Sequence, residues 1–297
     1  MLHVPKVSVI LVNYNGAQDT IECVQSLSAI TYPNYEVIVV DNASTDDSTA
    51  VLQAAELPNT VLLCSSENLG FSGGNNVGIR YALEQGTDYI LLLNNDTVVA
   101  KNFLEPMLEA ARQYNNHAAI TCKMKYYYKP EKLWYAGGSF SYRTGRTSHW
   151  GINKIDRGQY DRQKEVTFVS GCCIMIPERI IRNIGLMAEE YFLYCEDVEY
   201  CCRITKYGYK MIYEPLSCIF HKVNASTGKG SNRVTYYTVR NKKYLLKTYT
   251  KPKYRILVRF VNLLEIGKRV LTKEYSLPVV RLALSDARNG VFGQKQI

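Results

Sequence analysis

The feature that most constrains this chain is a succession of short, β-branched apolar runs separated by helical spacers. The runs are residues 7–12 (VSVILV), 35–40 (YEVIVV), 60–63 (TVLL), 88–93 (DYILLL) and 117–122. Continuously apolar strands are buried on both faces, as in a parallel sheet. Residues 17–29 between the first two runs place Ile21, Val24 and Leu27 at helical spacing, and 46–56, 73–85 and 101–114 read as helices. This β-α rhythm predicts an α/β fold: a mostly parallel sheet with helices on both faces.

The rhythm breaks after residue 123. Residues 124–165 are rich in Tyr, Gly, Lys and Arg and predict hairpins and loops grafted on the sheet. Residues 166–176 (VTFVSGCCIMI) return to the core, 196–206 read as a helix, and 209–221 give one or two short strands. Helices are expected over 231–249, 253–271 and 277–290.

The chain is 46% hydrophobic and 21% charged, which excludes bulk disorder. No apolar run reaches the length of a membrane span. The first residues, MLHVPK, carry no charged segment followed by an apolar one, so no secretory signal is expected and a cytoplasmic location is. The net charge of +9 is uneven: residues 236–297 hold fourteen Lys/Arg and three Asp/Glu, leaving the body near neutral. A basic tail with aromatics suits nucleic acid, an anionic membrane surface or a solvated helical face. Nine cysteines, an odd number without C-x-x-C spacing, read as buried reduced thiols.

Ligands of an open parallel sheet bind beyond the carboxyl ends of its strands. The segments there are Asn13-Tyr14-Asn15-Gly16, residues 41–46 (DNASTD), residues 67–76 (ENLGFSGGNN) and Asn94-Asn95-Asp96-Thr97. All are polar and should meet at one edge. The first loop lacks both the dinucleotide and the Walker glycine patterns. Gly70, Gly73 and Gly74 open a helix, either as a plain helix start or with backbone N–H groups turned to a phosphate. Asp96, just past a buried strand, suits a hard divalent cation or a helix cap. Glu196 and Asp197 emerge from an aromatic segment (YFLY), where desolvation would make a carboxylate a better base. The other reading is acidic placement at a helix start. His221 ends an apolar stretch as a structural side chain or a metal ligand.

This ordered set resembles the family 2 inverting glycosyltransferases of GT-A fold, and within them the rhamnosyltransferase-like branch. The matching stretches are residues 9–15, 41–46, 68–75, 93–96 and 196–199, with Gly208-Tyr209, His221, and residues 237–241 and 285–293. The resemblance implies a catalytic domain over 1–230 and a helical C-terminal region over 231–297. It implies a nucleotide-sugar donor held by Asn13, Asn15, Asp41, Ser44 and Asp46 around base and ribose, and by Asn68, Gly70, Gly74, Asn75 and Arg80 along the pocket. Asn94, Asn95 and Asp96 stand in place of the family's D-x-D motif. Asp96 and His221 match its ligands for Mg²⁺ or Mn²⁺, and Asp197 its general base, with Glu196 beside it. Asn94 departs from the aspartate of many relatives, and Glu199 stands where aspartate is common. No Q-x-x-R-W pattern of processive synthases is present, so one sugar is expected per encounter. The resemblance implies dTDP-L-rhamnose as donor and a polysaccharide or lipid-linked saccharide as acceptor.

Residues 254–271 place Ile256, Leu257, Phe260, Leu263, Leu264 and Val270 near one helical face, flanked by Arg255, Arg259, Lys268 and Arg269. That pattern suits peripheral contact of residues 250–271 with the inner face of the cell membrane, or packing on the catalytic domain or a second subunit. Rival readings are a UDP-sugar-dependent transferase of the same family, a sugar-phosphate nucleotidyltransferase, which lacks its Gly- and Arg-rich first loop here, and a non-catalytic nucleotide-sugar-binding scaffold. No nucleic-acid-binding module is recognisable.

Overall fold

The computed structural model describes residues 4–223 and 231–297. The first half alternates as its periodicity predicts: β1 (Val7–Asn13), α1 (Ala17–Ser28), β2 (Tyr35–Asp41), α2 (Ser48–Ala54), β3 (Thr60–Cys64), α3 (Gly70–Glu84) and β4 (Tyr89–Leu93). These four strands are parallel in the order β3-β2-β1-β4, with Val9 paired to Val37 on one side and Leu91 on the other. The helix after β3 starts at Gly70, earlier than the expected 73, and Gly70 itself takes a left-handed φ of 71° that an L side chain resists.

Beyond β4 the chain forms β5 (Thr97–Val99), α4 (Leu104–Gln113), β6 (Ala118–Tyr126), β7 (Lys129–Tyr135), β8 (Gly138–Ser141), β9 (Arg146–His149) and β10 (Lys164–Glu165). Then follow β11 (Cys173–Pro177), α5 (Glu178–Ile184), α6 (Glu196–Lys206) and β12 (Lys210–His221). The sheet continues β4-β11-β6-β12-β10 and is mixed here: β11 runs antiparallel to both neighbours, while β12 is parallel to β6. A parallel neighbour needs a crossover, usually helical. The β7–β10 excursion, with its β8–β9 hairpin, instead returns the chain to enter β11 from the opposite end. The one or two short strands expected over 209–221 are a single twelve-residue β12, bulged between Glu214 and Cys218 where Pro215 cannot donate to the ladder. Past the bulge, β12 also takes up β5, pairing His221 with Thr97.

The main core follows the sheet. The C-terminal helices are α7 (Asn232–Tyr249), α8 (Arg255–Leu271) and α9 (Leu277–Asn289). Their Tyr236, Tyr237, Val279, Val280 and Ala283 form a second apolar cluster with Phe192, whereas Leu245, Leu246 and Val258 join the main core. All nine cysteines are free thiols, and only Cys64 is exposed. No helix among the described residues is long and apolar enough to cross a membrane.

Candidate functional site

The polar loops after β1, β2, β3 and β4 meet at one edge of the sheet, around a cleft of about 550 Å³. Asn15, Asn68, Gly70, Asn94, Asn95 and Asp96 line it from the strand ends. Glu196 and Asp197 close the other side, with Tyr194 and Arg233.

Asn13 and Asp41 lie below this lining, fully buried at adjacent strand ends. Asn13 Nδ2 donates to Asp41 Oδ2 at 2.8 Å, and Ser44 Oγ donates to the same oxygen at 2.7 Å. Burial would raise the Asp41 pKa, but the hydrogen bonds from Ser44, Asn13 and Thr49 outweigh it and hold the carboxyl below the usual range. Ser44 Oγ also accepts from the backbone N–H of Asn15 (2.9 Å), and Asn15 Oδ1 accepts from Thr45 N (2.8 Å), so the first two loops are clamped together. Asp46 is exposed and accepts from Ser48 N–H at the start of α2.

Asn42, given no role by the sequence, joins the second and third loops. Its amide donates to the Gly70 carbonyl (2.9 Å) and accepts from Leu69 N–H (3.0 Å). Asn68 caps the turn by accepting from Gly70 N–H. Three expected pocket residues have other partners. A Cβ on Gly74 would come within 2.8 Å of Val12, so this glycine permits close packing of α3 on β1. Asn75 Nδ2 donates to the Phe71 carbonyl within α3, and Arg80 pairs with Glu189 at 2.9 Å.

In the fourth loop, Asn95 Nδ2 donates to Thr20 Oγ1 (2.9 Å), and Thr20 in turn donates to Asn13 Oδ1. Asp96 faces His221: Oδ1 and Nε2 are 3.1 Å apart. The β5–β12 pairing creates this contact, and Lys222 N–H bonds the Asp96 carbonyl at 2.9 Å to complete it. Trp134 packs edge-on to the imidazole at 4.5 Å between ring centroids. Among the described residues, nothing hydrogen-bonds His221 Nδ1. The same residues contain no cluster of three or more metal-binding side chains. One carboxylate and one imidazole suit a hard cation that takes most of its ligands from phosphate and water.

Glu196 and Asp197 begin α6. Asp197 accepts from Gly171 N–H (3.3 Å) and from Val198 N–H (2.7 Å), while Glu196 Oε2 is buried without a hydrogen bond among the described residues. Burial pushes both carboxyls well above the ordinary range, and the Asp197 charge raises Glu196 further. The chain reaches this helix through Phe192, Tyr194 and Cys195, all with left-handed φ of 60–69°. Such backbone persists only where its surroundings over-determine it. Asn241 of α7 does this: its buried amide donates to the carbonyls of Tyr191, Leu193 and Tyr194 at 2.7–2.8 Å. Arg240 adds a bond to the Tyr191 carbonyl, and Tyr249 donates to Glu199 at 2.6 Å. Glu199 also pairs with Arg203. The resemblance carried residues 237–241 without a role. Their role is visible only where α7 meets the 191–194 segment.

The sequence model described as glycosyl transferase family 2 matches residues 8–185, more than half of the chain. The chain belongs to that family. It is 29% identical over 204 residues to the low-salt glycan biosynthesis hexosyltransferase Agl10 of Haloferax volcanii, covering 67% of this chain and 61% of that one. It is 26% identical over 258 residues to the dTDP-rhamnosyl transferase RfbF of Shigella flexneri, covering 80% and 79%. It is 24% identical over 245 residues to the N-acetylglucosaminyl-diphospho-decaprenol L-rhamnosyltransferase of Mycobacterium tuberculosis, covering 74% and 77%. Among solved structures, GalNAc-T7 with UDP, GalNAc and Mn²⁺ superposes with a TM-score of 0.67 at 14% identity, over 83% of this chain and 48% of that one. The mannosyltransferase PcManGT of Pyrobaculum calidifontis with GDP-Man and Mn²⁺ gives 0.60 at 15%, over 98% and 81%. The fold is of the GT-A type.

Proposed function

We propose that the protein transfers one sugar from a nucleotide-sugar, dTDP-L-rhamnose, to a saccharide or lipid-linked saccharide acceptor in cell-surface glycan synthesis, with inversion. The observation that carries this reading is the cleft itself: buried Glu196 and half-buried Asp197 face the 94–96 turn across a space rimmed by amide side chains. The names of the Shigella and Mycobacterium relatives support rhamnose as the sugar. Residues 1–230 act as the catalytic domain and 231–297 as a helical region that braces it.

Asn13, Asn15, Asp41, Ser44 and Asp46 shape the nucleoside end, with Asn68 and Gly70 beside it. Gly74, Asn75 and Arg80 support the pocket by fixing α3. Asp96 and His221 would hold Mg²⁺ or Mn²⁺, which would stabilise the charge gathered on the departing nucleoside diphosphate. Asn94 and Asn95 set the turn that presents Asp96. Asp197, its pKa raised by burial, takes the proton of the acceptor hydroxyl. The hydroxyl oxygen then bonds to the anomeric carbon as the bond to the diphosphate oxygen breaks on the opposite face, which inverts that centre. Glu196 orients the acceptor or supports Asp197.

A thermal-shift panel of nucleotides and nucleotide-sugars with and without Mn²⁺ tests this reading, because ligands of the native state raise the Tm. Metal-dependent stabilisation by dTDP or dTDP-rhamnose is the expected result. Preference for UDP would replace the sugar, and silence with every nucleotide would leave a scaffold.

A further inference from the structure

The C-terminal helices enclose a second space, a groove of about 730 Å³ between α7, α8 and α9. Its walls are of two kinds. Leu246, Val258, Ile266 and Leu284 give it an apolar floor, and Leu263, more than half exposed, stands at its rim. Lys243, Lys247, Arg255, Arg259 and Arg288 stand around it. None of these five cations has an acidic partner in the ion pairs of the described residues, where Glu265 pairs with Lys242 and Arg146, and Asp286 with Lys295. The crowding has an electrical cost: burial, with Arg288 and Arg259 close by, lowers the Lys243 pKa. Cations gathered without counter-charge call for an anion, and an apolar floor calls for a chain attached to it.

The outer side of α8 bears on the same chemistry. Ile256, Phe260, Leu263 and Leu264 are more than half exposed, and Val258 is the one buried residue of this helix. A helix with basic flanks and a bare apolar face has the make-up of one that binds a lipid interface. The groove therefore opens beside the surface from which a lipid would enter. Its other wall, α7, carries Asn241 against the segment that leads into Glu196 and Asp197, and Tyr249 against Glu199 of the same helix α6.

We propose that this groove is a binding site for a lipid phosphate, with the phosphate among the five cations and the hydrocarbon along the apolar floor. The inference rests on the transferase reading only in naming the lipid as the acceptor's carrier.

The test is flotation of the full chain with phosphatidylcholine vesicles containing a small fraction of polyprenyl phosphate, against vesicles containing phosphatidylglycerol at matched surface charge. Tighter binding to polyprenyl phosphate is expected, weakened about thirtyfold in the double variant Lys243→Ala/Arg288→Ala, as loss of two basic residues near an anionic surface predicts. Leu263→Asp, at an exposed position, should weaken it likewise. Retained melting temperature and nucleotide-induced thermal shift show that each variant is folded. Equal binding to both vesicles, binding unchanged by the variants, or no binding would each overturn the proposal. A protein that binds nucleotide but not polyprenyl phosphate refutes the groove alone, whereas one that binds no nucleotide refutes the transferase reading.

Discussion

Asp96 and His221 are 125 residues apart in the chain, yet their side chains face each other at 3.1 Å where β5 pairs with the end of β12. The contact depends on the bulge at Pro215, beyond which β12 takes up β5. If the pair holds a cation, Asp96→Ala should abolish the Mn²⁺-dependent part of nucleotide stabilisation while the metal-free protein stays folded. Titrating Mn²⁺ at fixed nucleotide and following the Tm checks this. An unchanged metal response would remove Asp96 from the site.

Asp197→Asn keeps the shape of the side chain and its place at the start of α6 but cannot accept a proton. We expect kcat to fall by about 10²–10⁴, the range of a general base, with nucleotide binding retained. Initial rates with the donor identified by the thermal panel decide this. A variant with full activity would exclude the assignment.

Burial raises both Glu196 and Asp197, so the pH dependence of the rate should carry their mark. The base works deprotonated, and the acid limb of kcat/KM should lie above the ordinary aspartate value of about 3.9. A raised carboxyl binds its proton more tightly in the folded state. Its stability penalty is therefore absent below the unfolded pKa, grows as pH rises, and is complete above the folded value. Glu196→Gln removes that penalty. Its Tm should exceed that of the unsubstituted protein increasingly from acid to neutral pH, and a pH-independent difference would contradict the raised pKa.

Asn241→Ala leaves the Tyr191, Leu193 and Tyr194 carbonyls without the amide that holds them. Each unpaired buried polar group costs roughly 1–3 kcal/mol, so a clear loss of Tm is expected. A positioning role adds a kinetic signature: at a temperature where the variant is folded, kcat should fall more than donor KM rises. Equal kcat with only a lower Tm would make Asn241 purely structural.

Gly70→Ala places a Cβ against the Phe192 carbonyl in a left-handed backbone. The strained backbone alone costs on the order of 1–3 kcal/mol, and the collision adds to it. Denaturant unfolding measures the loss. It should also disturb the 192–195 segment, which Gly70 and Phe71 touch through the Phe192 oxygen.

Much of this was legible along the chain because strands and their loops are local. The apolar runs 7–12, 35–40 and 88–93 are strands whose period and β-branching need no distant partner to be read, and the polar loops that follow them had to share an edge once the strands were parallel. The direction of β11 was not legible, since a short apolar run looks alike in either orientation and the chain's route through β7–β10 sets it. The partners of Asn42, Gly74, Arg80 and Asn241 were hidden for the same reason. An amide, a glycine or a guanidinium has many local uses, and its actual one depends on which remote backbone lies within hydrogen-bonding distance. Residue chemistry and periodicity thus dictate the strands, the helices and the polar edge. Packing selects which carboxylates are desolvated, which carbonyls Asn241 holds and which cations are left unpaired, because those properties belong to distances between segments far apart in the chain.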